Sequence, residues 1–132
     1  MSRDIIAAYC DAFNRGALDA MAETLHDDFV HNVNEGGARI GKSAFAEFCR
    51  HMSETYRETL TDMVIFASAD GTRSAAEFTV QGAYLKTDPG LPAATGQTYV
   101  LPAGAFFSLK DGRITRVTTY FNLQDWTRQV SA

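Results

Sequence analysis

The apolar positions Ile5, Ile6, Tyr9, Cys10 and Phe13 recur every three or four residues, which predicts an amphipathic helix over residues 2–15 that Gly16 ends. A short second helix over 17–25 follows, its apolar side made of Leu18, Met21, Ala22 and Leu25. After Asp27 and Asp28 the pattern changes. Residues 29–33 read as a strand, Asn34-Glu35-Gly36-Gly37 as a turn, and 38–40 as a brief extended return. A third helix, 42–55, turns Phe45, Phe48, Cys49 and Met52 inward. Two strands, 57–67 and 73–85, are joined by an Asp-Gly turn at Asp70-Gly71, and the irregular stretch 86–96 is a surface connection or borders a cavity mouth. Residues 97–123 carry the strongest signal, two aromatic and β-branched strands around Asp111-Gly112. Pro102 and Gly104 mark the first arm as bulged and curved, and Asn122 can cap a last short helix. The order predicts one α+β domain over 1–132, with four long antiparallel strands enclosing a cavity under the helices.

Composition narrows the partners. The 132 residues, 45% of them hydrophobic, suffice for one core, and the net charge of -4 with scattered cations argues against nucleic-acid and membrane partners. No apolar run is long enough to cross a membrane and no signal peptide is evident, so a cytoplasmic protein is expected. Cys10 and Cys49 lack metal-type spacing and read as buried free thiols. A metal site from His26, His31, Glu35 and His51 fits no ligand pattern, and neither a phosphate loop, a nucleophile elbow nor a dinucleotide fingerprint is present. Neither metal nor organic cofactor is expected.

The run FNRGALDAMAETLHDDFVHN, with GKSAFAEF and the closing KDGRITRVTTYFNLQDW, resembles the NTF2-like superfamily, within it the SnoaL-like and ketosteroid-isomerase-related proteins. The resemblance spans nearly the whole chain. It implies a cone in which a curved antiparallel sheet carries three N-terminal helices on its concave face. It is far less specific for reaction, since one fold hosts many activities. The ketosteroid isomerase pattern puts its oxyanion-binding tyrosine on Tyr9, its basic aspartate on Asn32 and its neutral carboxylic acid on Gly104. An amide cannot take the proton a carboxylate takes, and glycine offers nothing, so steroid isomerisation by that mechanism is not expected.

Strand alternation following the family points Val30, Asn32 and Asn34 into the cavity. Phe13, Phe78, Val80, Tyr84, Phe106, Val117, Thr119 and Phe121 join them as ligand contacts. The resulting catalytic set is Tyr9 to polarise a carbonyl, Asn32 to orient substrate or water, and His31 or Glu35 to move a proton. Dull alternatives stand beside each: Tyr9 as a core tyrosine bonded to a carbonyl, Asn32 and Asn34 as residues that cap the turn before Gly36, His31 as a surface or rim histidine, Glu35 as a surface carboxylate. A register slip of one residue turns His31 inward in place of Asn32. The functional expectation is isomerase- or lyase-like chemistry on a small hydrophobic carbonyl compound. The alternatives are a binding module for a hydrophobic metabolite and an interaction scaffold. A homodimer through the outer sheet face is compatible with all three, with Arg116, Thr118, Tyr120, Tyr99, Leu101 and Phe107 facing outward.

Overall fold

A computed structural model describes residues 2–131. Helix α1 (Ser2–Arg15) and helix α2 (Leu18–Glu23) lead into strand β1 (Leu25–Val33), strand β2 (Ala38–Ile40) and helix α3 (Lys42–Thr55). Strands β3 (Tyr56–Ala67), β4 (Arg73–Tyr84), β5 (Thr98–Lys110) and β6 (Arg113–Tyr120) follow, then helix α4 (Leu123–Val130). One six-stranded sheet runs in the order β2-β1-β6-β5-β4-β3. Every neighbouring pair is antiparallel except β1 and β6, which run parallel, so the sheet is mixed. This is the expected α+β cone. The parallel pair arises because β1 and β6 are far apart in the chain and meet edge to edge, with no hairpin to set their direction.

Local chemistry explains where elements stop. Helix α2 ends before Leu25 because the Thr24 hydroxyl and N–H both turn back to the Met21 carbonyl, which frees Leu25 to open β1 opposite Ile114. The turn at Asp111-Gly112 has positive φ at both residues (54° and 73°), the two-residue hairpin that pair favours. Asp70-Gly71 is different. It sits in a five-residue loop, 68–72, where the Asp70 carboxylate accepts from Ser68 Oγ and from the N–H and Oγ1 of Thr72, which holds its pKa down at about 2. The expected irregularity at Pro102 and Gly104 is absent from the β4–β5 ladder, which is continuous from Arg73 to Ala83. Pro102 is tolerated because β6 ends opposite Gly104, and further along that open edge the Gln129 side chain of α4 bonds both the N–H and C=O of Val100. The irregularities lie on β3, at Asp62 with φ 52°, between Ser108 and Leu109, and on β1 between Leu25 and Val30.

The helices cover one sheet face. On β4 and β5 the residues turned toward them are Ala76, Phe78, Val80 and Tyr84 with Tyr99, Leu101, Ala105 and Phe107, all buried. Tyr99, Leu101 and Phe107 therefore face inward, contrary to the outward placement expected for them. The reason is register: β5 pairs Tyr99 with Gly82 and Leu101 with Val80, and partners in one row share a face. Phe106 is thereby turned out and is 51% exposed, joined on the outer face by Phe66, Val100 and Tyr120.

Candidate active site

Between helices and sheet lies a cavity of about 880 Å3, lined mainly by apolar side chains. Of the predicted contacts, Phe13, Phe78, Val80, Val117, Thr119 and Phe121 line it, as do Tyr9 and His31. Six others do not. On β1 the alternation is the reverse of the expected one: Phe29 and His31 are buried, while Val30 and Asn32 point to the outer face. Parallel pairing with β6 sets that phase, matching His31 with inward Val117, and Asn32 with Thr118, whose hydroxyl the Asn32 amide approaches at 3.5 Å. Asn34 lies past the strand end with its N–H on the Thr119 carbonyl, and Glu35 sits exposed in the turn, accepting from the Leu123 N–H at 3.4 Å. Phe106 is on the outer face. Tyr84 does face inward but is fully buried behind Tyr56, off the cavity surface. Gly104 too lies away from the cavity, between exposed Glu77 and Tyr120, so neither carboxylate position carried over from ketosteroid isomerase reaches it.

Two polar regions interrupt the apolar lining. In the first, the Tyr9 ring packs edge-on against Phe107, and Phe107, Val117 and His31 form one row across three strands. Tyr9 has no hydrogen-bond partner among the described residues, and burial raises its pKa well above the ordinary tyrosine value. It stays a phenol. His31 is 5% exposed and packs at a tilt against Phe45 and Phe48, ring centroids 4.9 and 5.1 Å away, with Nδ1 buried and without a partner among the described residues. Burial first, then the nearby Arg39 guanidinium, lower its pKa to about 4, so the ring is neutral at physiological pH. A neutral imidazole with that pKa is a hydrogen-bonding group and a poor base.

Sequence reasoning passed over the second region. Glu58 of β3, Gly82 of β4 and Tyr99 of β5 form a single row, and the Tyr99 hydroxyl donates to Glu58 Oε2 at 2.5 Å across the middle strand. Gly82 makes this possible. A Cβ there would stand 2.5 Å from the Tyr99 hydroxyl oxygen, so any side chain would displace the ring. Burial raises the Glu58 pKa, and the Tyr99 hydrogen bond opposes that rise. Next to this row, Asp88 accepts from the Tyr56 hydroxyl at 2.8 Å and contacts His51 Nε2 at 2.9 Å, which ties loop 86–96 to α3 and β3 at the cavity border. The one available signal was a charge at an inward position of β3 opposite a mid-strand glycine.

Cys10 and Cys49 line the cavity as free thiols whose pKa burial lifts to about 12 and about 11. Among the described residues no group of three or more His, Cys, Asp or Glu is placed to hold a metal, and no helix is long and apolar enough to cross a membrane. His26 lies near Asp28 and Asp111, apart from His31 and His51.

The family model for the SnoaL-like domain matches residues 6–117. A solved candidate polyketide cyclase from Silicibacter sp. TM1040 is 62% identical, with a TM-score of 0.97 over 99% of this chain and 96% of that one. Another, from Pseudomonas putida KT2440, is 50% identical, with a TM-score of 0.97 over 99% and 98%. An NTF2-like protein from Burkholderia xenovorans LB400 shares the fold at 15% identity, with a TM-score of 0.79 over 98% and 95%. No curated protein matches the sequence significantly.

Proposed function

Because the chain belongs to the SnoaL-like domain family of the NTF2-like superfamily, we propose that it is an enzyme that moves a proton on a small, largely apolar carbonyl compound, as ring closure or isomerisation requires. The observation that carries this is the Tyr9 phenol, unpartnered on the wall of an apolar cavity of about 880 Å3. That volume suits a small organic ligand. A neutral donor set in such an apolar lining contributes most where negative charge develops on a substrate oxygen. His31, at the other end of the strand row whose Phe107 packs against Tyr9, is a second neutral group on the cavity wall, able to orient the substrate. The high identity to two candidate polyketide cyclases favours a substrate with more than one carbonyl. The outer sheet face, with Phe66, Val100, Phe106 and Tyr120 exposed, is where a second copy of the chain would pack to form the expected homodimer.

The test is deuterium incorporation from D2O into a panel of cyclic enones and β-keto esters, followed by mass spectrometry, beside calorimetric titration of the same compounds. Incorporation well above the buffer rate, with saturable binding, supports the reading. Binding without any proton exchange would instead make the protein a storage or sensing module.

A further inference from the structure

We propose that Glu58 is the proton-transferring base of this cavity and that Tyr99, lying across Gly82, positions it. The inference rests on the reading just given and names the group that performs its central step. Three observations of placement support it. Glu58 lines the cavity, whereas Asn32, Glu35 and Gly104 do not. Among the described residues no cation pairs with it, so it is not one half of a structural salt bridge; its partner is a neutral phenol. That phenol is held by the edge of Trp126, at 6.0 Å, and by the space Gly82 leaves open. Accepting one hydrogen bond on Oε2 leaves Oε1 for substrate. Among the described residues the titratable groups near Glu58 are Tyr99 from β5 and Tyr56 from its own strand, both held protonated by burial and by acidic neighbours, with the Asp88 carboxylate on the far side of the Tyr56 hydroxyl. A carboxyl shifted upward by burial is a stronger base than an ordinary one.

The step balances without any other reagent. The Glu58 carboxylate takes a proton from the carbon next to a carbonyl, the C–H electron pair passes into the enolate, and its oxygen is met by a neutral donor. The carboxylic acid then returns the proton to another carbon in an isomerisation, or to the alkoxide formed when the enolate carbon closes a ring.

Glu58→Gln keeps the shape and can still accept from Tyr99, so it should fold, bind the same compounds within about threefold, and lose proton exchange by about 10² or more. Glu58→Asp should restore part of the rate. Carboxyl-carbon NMR gives a readout without turnover: Glu58 should titrate above an ordinary glutamate, and higher still in Tyr99→Phe, whose pH–rate profile should move the same way. Wild-type exchange that persists undiminished in Glu58→Gln would overturn Glu58 as the base and leave the proposed function standing. An ordinary Glu58 titration, indifferent to Tyr99→Phe, would overturn the positioning. A wild type that binds but exchanges no proton sinks both readings together.

Discussion

The two polar regions of the cavity use the same residue types in opposite ways. Around Tyr56, Tyr84 and Tyr99 each hydroxyl has an internal acceptor: Asp88, the Pro92 carbonyl and Glu58. Their rings lock together through Trp126. Around Tyr9 and His31 the rings are just as well packed, yet neither the phenol nor Nδ1 finds a partner among the described residues. Leaving a buried polar atom such as His31 Nδ1 unpaired typically costs about 1 to 3 kcal/mol. One region ties its tyrosine hydroxyls to internal acceptors and turns only Glu58 to the cavity, whereas the other leaves its polar groups for something outside the chain.

The largest expected effect comes from the unpaired region, through pH. His31 has its folded pKa lowered to about 4 from an ordinary 6.5, so the unfolded chain binds a proton that the folded chain refuses. Its stabilising contribution is complete above about pH 6.5 and is lost as pH falls toward 4. That corresponds to roughly 2 to 3 kcal/mol between pH 7 and 4.5. Glu58, shifted upward, works in the opposite sense, since its folded form prefers the proton. Urea unfolding of wild type and His31→Phe at both pH values isolates the histidine: the difference between them should change by that amount, and a constant difference would mean His31 is not buried neutral.

Next in size is the contrast between the tyrosines. Tyr99→Phe strips Glu58 of its only side-chain hydrogen-bond partner among the described residues and should cost about 1 to 2 kcal/mol. Tyr9→Phe removes a hydroxyl that bonds nothing among the described residues, and should leave stability unchanged or slightly raised while weakening ligand binding about tenfold, or roughly 1.4 kcal/mol. Equal stability losses in chemical denaturation would erase the distinction between the two regions.

How much of this was legible in the sequence depends on the range of the interaction. Periodicity set the helices and most strands, because those depend on local spacing. Tyr9 could be placed because a helix face is fixed by its own apolar neighbours. The phase of β1 could not. It is set by parallel pairing with β6, more than eighty residues away, and a one-residue choice there exchanged Asn32 for His31. The same applies to β5, where reading Phe106 as inward displaced Tyr99, Leu101 and Phe107 together. Glu58 stayed hidden because its significance lies in three strands meeting in one row, a juxtaposition that local spacing does not reveal.

The smallest effect provides the control for that misreading. Asn32→Ala alters an outer-face amide whose nearest side-chain partner is Thr118 Oγ1 at 3.5 Å, a weak contact at the edge of hydrogen-bond range. Stability should change by less than about 0.5 kcal/mol, as at most surface sites. Ligand affinity and proton exchange should stay within about twofold of wild type, because the side chain does not reach the cavity. Measured beside Tyr9→Phe and Glu58→Gln, this variant separates an inward from an outward β1 register. A loss of exchange in Asn32→Ala comparable to that in Glu58→Gln would return the amide to the cavity and the histidine to the outer face.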